Sequence, residues 1–349
     1  MGLDTDIGLA GAAADVLAHI EEYSAGTVAI LRKFGYWTNV VEISEGKPTR
    51  FEVDARIPDQ SIADEVANAS IDMAIRRLWS MSGKHVYALH PLMLAELARA
   101  KSDELPGVLF DYLPHANPLV LFAEPIPTTT SDGLTGRVLG FHTFGRLSEG
   151  RTHICSTDDE GRSQLGLVFI TQLDEGGDES LRVSVPTDME RFTVEDAIER
   201  TLDGFRSGVA APLGDGLRDW MREQIGLAIR VLVYMCTEES DIAPSLGPVK
   251  RRNVTKDGKP VKMLNVGWKL GPALHRARAK AADASSGSGS NTGSKQVPHR
   301  RGPGFQTYWT GAGRTTPIVR FKAPYYVNVD DVDMVEAPAT ISPVRRKSK

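Results

Sequence analysis

Apolar residues fall into three regimes along the chain, and each predicts a different kind of element. In the first, Val16, Leu17, Ile20, Val28, Ile30 and Leu31 recur at close to helical spacing over residues 13–34, with Gly26 weakening the middle. Ile62, Val66, Ile71, Ala74 and Leu78 repeat the pattern behind Asp59, whose carboxylate suits the N-cap of a helix running through Met81. KHVYALH (84–90) has the pattern of a short strand. PLMLAELARAK (91–101) predicts a third helix, with Pro91 in the first turn, where its missing N–H leaves no bond unmade.

Between residues 107 and 186 the period shortens. GVLFDYL, PLVLFAE, GRVLGFHTFGRL, RTHICST, LGLVFITQL and LRVSVP are short, rich in β-branched or aromatic residues, and punctuated by Gly, Pro and Asp. Consecutive strands without room for crossover helices predict a largely antiparallel sheet. The third regime is helical again. Thr193 can cap VEDAIERTLDGF, with Glu195 and Asp196 in the first turn to suit the helix dipole. GLRDWMREQIGLAIRVLVYMC sets Leu217, Met221, Ile225, Ala228, Ile229, Leu232 and Cys236 on one stripe, the face that would cover the sheet. GPVKRRNVTKDGKPVK reads as a basic loop, NVGWKLGPALHRARAK as a short helix and AADASSGSGSNTGSKQ as a flexible loop with too little apolar surface to order itself.

Near the end the period is two once more. In PIVRFKA, Val319, Phe321 and Ala323 alternate with Arg320 and Lys322, which a loose basic tail would not do. With FQTYWTG before it and GAGR between, a β-hairpin turning at Gly311 and Gly313 follows. The expected fold class is therefore α+β: a largely antiparallel sheet covered by helices, with a C-terminal β-hairpin. The expected organisation is a core domain over 1–280, a flexible Ser/Gly-rich loop over 281–297, a basic-aromatic hairpin over 298–330 docked on the core, and a disordered tail over 331–349.

Composition narrows the chemistry. The chain has 349 residues and is 41% hydrophobic, enough for a buried core without staples. Its two cysteines, Cys155 and Cys236, rule out a disulfide framework and a multi-cysteine zinc site. The acidic, Ala-rich N-terminus does not resemble a signal peptide, and no apolar run reaches the ~18 residues of a membrane span. A cytoplasmic protein with no membrane partner is expected. Charge is divided: up to residue 245 the chain has 21 Lys and Arg against 39 Asp and Glu, and beyond it 20 against 6. The basic part either meets an anionic partner or neutralises the acidic part within one fold.

Motifs of the common enzyme classes are absent: there is no G-x-x-x-x-G-K-[ST], G-x-S-x-G, H-E-x-x-H or C-x-x-C, and neither a metal nor a cofactor is expected. His142 and His153 lie on neighbouring strand patterns near Asp158, Asp159 and Glu160 and could form an acid/base pair. The plainer reading makes them surface residues of a hairpin beside a solvated turn, and it is preferred. In the C-terminal hairpin, His299, Arg300, Arg301, Arg314, Arg320 and Lys322 form a basic surface beside Phe305, Tyr308 and Trp309. Such a surface suits single-stranded RNA, whose phosphates take the charge while bases stack on rings. It equally suits an acidic peptide, or simple rest against the chain's own acidic part.

A resemblance rests on three ordered segments: RVLVYMCTEESDI (230–242), NVGWKLGPAL (265–274), and PHRRGPGFQTYWTGAGR followed by PYYVN (298–328). Together they are similar to the family of plasmid- and phage-borne proteins that includes a type V-A anti-CRISPR inhibitor, over about 100 residues. Cys236, Glu238, Asp241, Gly267, Trp268 and Gly271 match its pattern, as do His299, Arg301, Tyr308, Trp309, Gly311 and Arg314. Gly304, Phe305 and Gln306 stand where the family often has an aromatic flanked by histidines. The resemblance implies a non-enzymatic inhibitor from a mobile genetic element, acting in a bacterial host. It would recognise the nascent polypeptide of a CRISPR effector nuclease, or its RNA or the ribosome, and lower production of that nuclease. Two other classes stay open: a metal-independent ribonuclease or RNA-binding protein, with His299, His153 or His142 as acid or base, and an interaction protein with no nucleic-acid role.

Overall fold

The computed structural model describes residues 12–20, 43–44, 47–48, 75–76, 79–80, 82–102, 104–130, 133–144, 147–148, 151–152, 155–157, 163–187, 191–208, 215–238, 240–245, 261–286, 299–314 and 316–327. Its centre is an eight-stranded sheet. The main strands are β1 (His85–Leu89), β2 (Leu119–Thr129), β3 (Thr135–Phe144), β4 (Ser163–Leu173), β5 (Asp178–Pro186), β6 (Ile242–Pro244) and β7 (Lys262–Val266), in spatial order β5-β4-β3-β2-β1-β7-β6. The eighth, Cys155–Thr157, pairs with the start of β4. Pairing is antiparallel throughout except at β1, which runs parallel to both β2 and β7. The chain between β1 and β2 explains the exception: residues 90–118 are long enough for a crossover, and they hold α1 (Pro91–Leu97).

The β2–β5 meander follows its sequence pattern, and α2 (Val194–Gly208), α3 (Asp215–Met235) and α4 (Leu270–Ser286) lie beside it. Thr193 caps α2: its hydroxyl accepts the Asp196 N–H at 3.0 Å while the Asp196 carboxylate accepts the Thr193 N–H at 3.1 Å, a reciprocal box that also lowers the Asp196 pKa. Alternation sorts the sheet residues. Tyr87, Leu89, Val120, Phe122, Phe141 and Phe169 pack with α1, α2 and α3, while Val86, Leu119, Leu121, Leu139 and Ile170 pack on the opposite face with Leu17, Ile20 and Trp79. Residues 12–20 are helical, as are 75–76 and 79–80; the remainder of the first two predicted helices lies outside the described residues. So do 246–260, most of the predicted basic loop, and 328–349.

Four expectations are corrected. GVLFDYL is not a strand: Gly107–Tyr112 forms a 3-10 helix that buries Leu109 and Phe110 and leaves Val108 and Tyr112 more than half exposed. A short apolar run carries no period able to separate the two. Ile242–Pro244 and Lys262–Val266, not predicted as strands, extend the sheet. The helix expected from Asn265 begins at Leu270 and runs to Ser286, through the first residues of the stretch read as a flexible loop. His142 is no surface residue of a hairpin: it sits mid-sheet opposite Leu119 and Val168, 4% exposed, with its ring edge toward Trp79.

The predicted hairpin forms from β8 (Gly304–Thr310) and β9 (Thr316–Lys322), turning through Gly311, Gly313 and Arg314, all at positive φ. β8 runs parallel to the two-residue strand Lys101–Ser102, and Phe305 and Val319 join the main core, where Phe321 lies edge-on to Tyr234 of α3 with ring centroids 5.2 Å apart. The C-terminal half of α3 is consequently buried on more than the one stripe that its sequence predicts.

Candidate functional site

Alternation divides the hairpin residues proposed for binding. Phe305, Thr307 and Trp309 share the inner side of β8 with Val319 and Phe321 of β9. Thr307 donates its hydroxyl to the Glu104 carbonyl at 2.7 Å, and Trp309 lies half-buried under the Arg191 guanidinium, 4.7 Å from ring centroid to cation. Trp309 thus faces the protein, on the side away from Arg320 and Lys322. The outer side carries Tyr308, 40% exposed, with Arg320 over its ring at 5.7 Å, and Lys322 beyond it. Arg314 projects from the turn, exposed. His299, Arg300 and Arg301 form a short strand antiparallel to Tyr325–Val327; their side chains lie outside the described residues.

The residues between α3 and α4 form a joint. The Asp241 carboxylate accepts the backbone N–H groups of Lys269, at 2.6 Å, and Leu270, at 2.9 Å, capping α4 from a distant loop, while the Asp241 N–H donates to the Tyr234 hydroxyl at 2.9 Å. Gly267, at φ 73°, lies against Met93 of α1: an added Cβ would come within 2.4 Å of the Met93 Cγ. At Gly271 an added Cβ would come within 2.9 Å of the His90 Nδ1, on the residue that caps α1. Trp268 donates its indole N–H to the Ala88 carbonyl at 2.9 Å. Cys236 is half-buried against the core, and Glu238 is exposed.

Of the three histidines considered as acid or base, only His142 has a described side chain. Burial, with Arg76 adding to it, holds its pKa down to about 3, so the ring is neutral at physiological pH, and its Nδ1 has no hydrogen-bond partner among the described residues. His153 lies outside the described residues. A histidine pair that sequence reasoning did not single out is instead brought together: His85 and His115 stack with centroids 3.4 Å apart, and His115 Nδ1 hydrogen-bonds the Tyr87 hydroxyl. Burial, the His85 charge and Lys262 together lower His115 to about 4. Among the described residues no three of His, Cys, Asp and Glu gather as a metal-ligand set.

A cleft of about 650 Å³ lies between α1, β2, α2 and α3. The register of β2 against β3 breaks between Leu121 and Ile126, which takes Phe122–Pro125 out of the ladder; Glu124 and Pro125, with Ile126 and Pro127 where pairing resumes, line the cleft. Leu94, Ala95, Ile126, Ile198 and Leu227 make its apolar floor; Glu124, Glu195, Glu199 and Glu223 ring it. Two arginines there are already engaged. Arg230 donates to the Ala100 carbonyl at 2.8 Å and to Glu195 at 3.0 Å, and Arg222 pairs with Glu199 and Asp219. The Arg222 and Arg218 partners lower the Glu199 pKa. Gln224, 5% exposed, also lines the cleft; its Oε1 is closed to solvent and has no hydrogen-bond partner among the described residues. No sequence motif marks this site, because its residues come from four separate segments.

Comparison with known proteins adds the family. No curated protein matches the chain. A solved structure described as the crystal structure of AcrVA2 is similar at 17% identity and a TM-score of 0.46, covering 77% of this chain and 79% of that one. The model of the AcrVA2-like family, anti-CRISPR type V subtype A2, matches residues 87–329, more than half of the chain and a span that includes the cleft, the α4 joint and the hairpin, and the protein belongs to that family.

Proposed function

We propose that this anti-CRISPR family member recognises a segment of an effector-nuclease polypeptide as it is synthesised, in the cytoplasm of a bacterial host, and lowers production of the nuclease. The observation that carries the reading is the cleft: a concave, largely apolar surface with a polar rim has the form of a peptide- or ligand-binding site. Binding is preferred to cutting, because the candidate base with a described side chain, His142, is buried and neutral. A second contact, with message or ribosome, is supported by the outer side of the hairpin, where Tyr308 is exposed beneath Arg320 and beside Lys322.

Recoding the effector gene tests the reading. A synonymous version changes the RNA and keeps the peptide; a frameshifted version keeps the RNA nearly intact and changes the peptide. Co-expression with this protein should deplete the synonymous product and its message and spare the frameshifted one. Equal depletion of both would overturn peptide recognition. So would full inhibition of preassembled nuclease in vitro with its production in cells unchanged.

A further inference from the structure

We infer that single-stranded RNA lies across the outer face of the three-stranded sheet that β8 and β9 form with Lys101–Ser102, a backbone phosphate held between Lys101 and Lys322 and a base stacked on Tyr308. The inference rests on the message contact proposed above, and it turns a patch on the hairpin into a site that a residue of the core completes. Register defines the face. Lys101 and Lys322 both pair with Gly304, one from each side, so the three stand in one row across the sheet and share a face. The adjacent row, Ser102, Phe305 and Phe321, points the other way: the Ser102 hydroxyl accepts the Val194 N–H at 3.3 Å and Phe305 enters the core. Both lysines are exposed, and Gly304 puts no side chain between them. Neighbouring strands lie ~4.8 Å apart, so the two lysines start ~10 Å from each other, a gap that two flexible four-carbon stems can close onto one phosphate. Gln306 and Arg320 make the next row on this face and Tyr308 stands in the one after, at steps of ~7 Å along the strand. The Tyr308 ring is 40% exposed, and its hydroxyl donates to the Gln306 Oε1 at 2.7 Å, which ties it to the sheet.

The three strands contain no Asp or Glu, and among the described residues Lys101, Arg320 and Lys322 make no ion pair. A face of cations with nothing beside them to neutralise the charge favours an anion, and the exposed ring among them selects which. Single-stranded RNA brings a phosphate at every nucleotide and unpaired bases whose flat faces stack on a ring. In a duplex the bases are stacked on one another, and only phosphates reach the face. A carboxylate-rich peptide satisfies the lysines and leaves the ring unused.

The test titrates the full-length protein into a short fluorescein-labelled oligouridine and reads anisotropy, with the same strand annealed to oligoadenosine as the duplex control. The single strand should bind several-fold tighter than the duplex. Tyr308→Ala should weaken the single strand about tenfold, the scale of one base stacked on an aromatic ring, and narrow its preference over the duplex. Lys101→Gln lies outside the hairpin and separates a three-stranded site from a hairpin acting alone. It should weaken the single strand several-fold and lower the slope of log K against log salt by about 0.7, as one lost phosphate contact does. Lys322→Gln, from the opposite edge of the row, should do the same. All three positions are exposed, and thermal melts confirm the fold of each variant. RNA binding indifferent to either Tyr308→Ala or Lys101→Gln, equal affinity for the duplex, or tighter binding of an oligoglutamate of equal charge would overturn this site while leaving a message contact elsewhere on the protein standing. Absence of binding to any RNA would remove both, and peptide recognition would still rest on the recoding experiment.

Discussion

Residues that look alike in the sequence take different work from their surroundings. Thr193 stands immediately before its helix and is legible as a cap, whereas Asp241 caps α4 from 29 residues before Leu270, a pairing that sequence spacing does not announce. His142 shows the same dependence on surroundings. Its pKa falls from 6.5 to about 3 in the folded chain, because the charged ring would have to enter the core. Above pH 6.5 neither state binds a proton there. Below it the unfolded chain takes up a proton that the native ring refuses, so stability falls as pH drops from 6.5 toward 3, by up to ~1.4 kcal/mol per pH unit. His115, held down to about 4, and His85, lowered by burial, act with the same sign. Urea unfolding at pH 7.5 and pH 5.5 should show the loss, and His142→Leu should make it smaller. Because the Nδ1 has no partner to lose, that variant should stay within about 1.5 kcal/mol of the parent at pH 7.5. Identical pH dependence in parent and variant would show that the ring is protonated in the native state.

Elements were legible where the sequence carries a run or a period. β3 and β4, buried on both faces, show as runs of β-branched and aromatic residues, and β9 separates Val319 and Phe321 from Arg320 and Lys322 as its alternation requires. β6 and β7 escaped because three and five residues containing Pro, Lys and Asn give no alternation to count; their strand form is imposed by β1, whose edge they complete. The hairpin allows the two sides of one element to be separated by experiment. Phe305 is 2% exposed and packed on Phe321, so Phe305→Ala should cost about 3–5 kcal/mol in equilibrium unfolding. Tyr308→Ala, on the outer side, removes a solvent-exposed ring whose contact with Arg320 is worth about 0.5–1 kcal/mol. Comparable losses from the two would mean that the hairpin is not docked by its Phe305 side.

Across the whole molecule, sequence reasoning found the basic C-terminal surface but not the cleft, and the difference is physical. A surface on one hairpin is written in consecutive residues, whereas the cleft is assembled from α1, the stretch of β2 at its register break, and one face each of α2 and α3. The fold does not use the charge division to dock the hairpin. Its inner side rests on the acidic part of the chain through Phe305 and Val319, the Thr307 hydroxyl on the Glu104 carbonyl and Trp309 under Arg191, and among the described residues no ion pair joins the hairpin's Arg314, Arg320 or Lys322 to that part. Apolar packing therefore accounts for the position of the hairpin and leaves its outer charges unexplained. The proposed division of labour assigns the cleft to peptide and the outer hairpin side to RNA or ribosome, and the two should be separable. Arg320→Gln with Lys322→Gln alters surface charge without touching the buried Phe305 and Val319, so unfolding stability should change by no more than about 1 kcal/mol. Peptide affinity in vitro should be unchanged, while depletion of the effector message in cells should weaken. The residual RNA affinity of the variant should also depend less steeply on salt, since each lost phosphate contact on a single strand lowers the slope of log K against log salt by about 0.7. Undiminished message depletion with an unchanged salt slope would assign those cations to solvent alone and leave the cleft as the sole contact with the target.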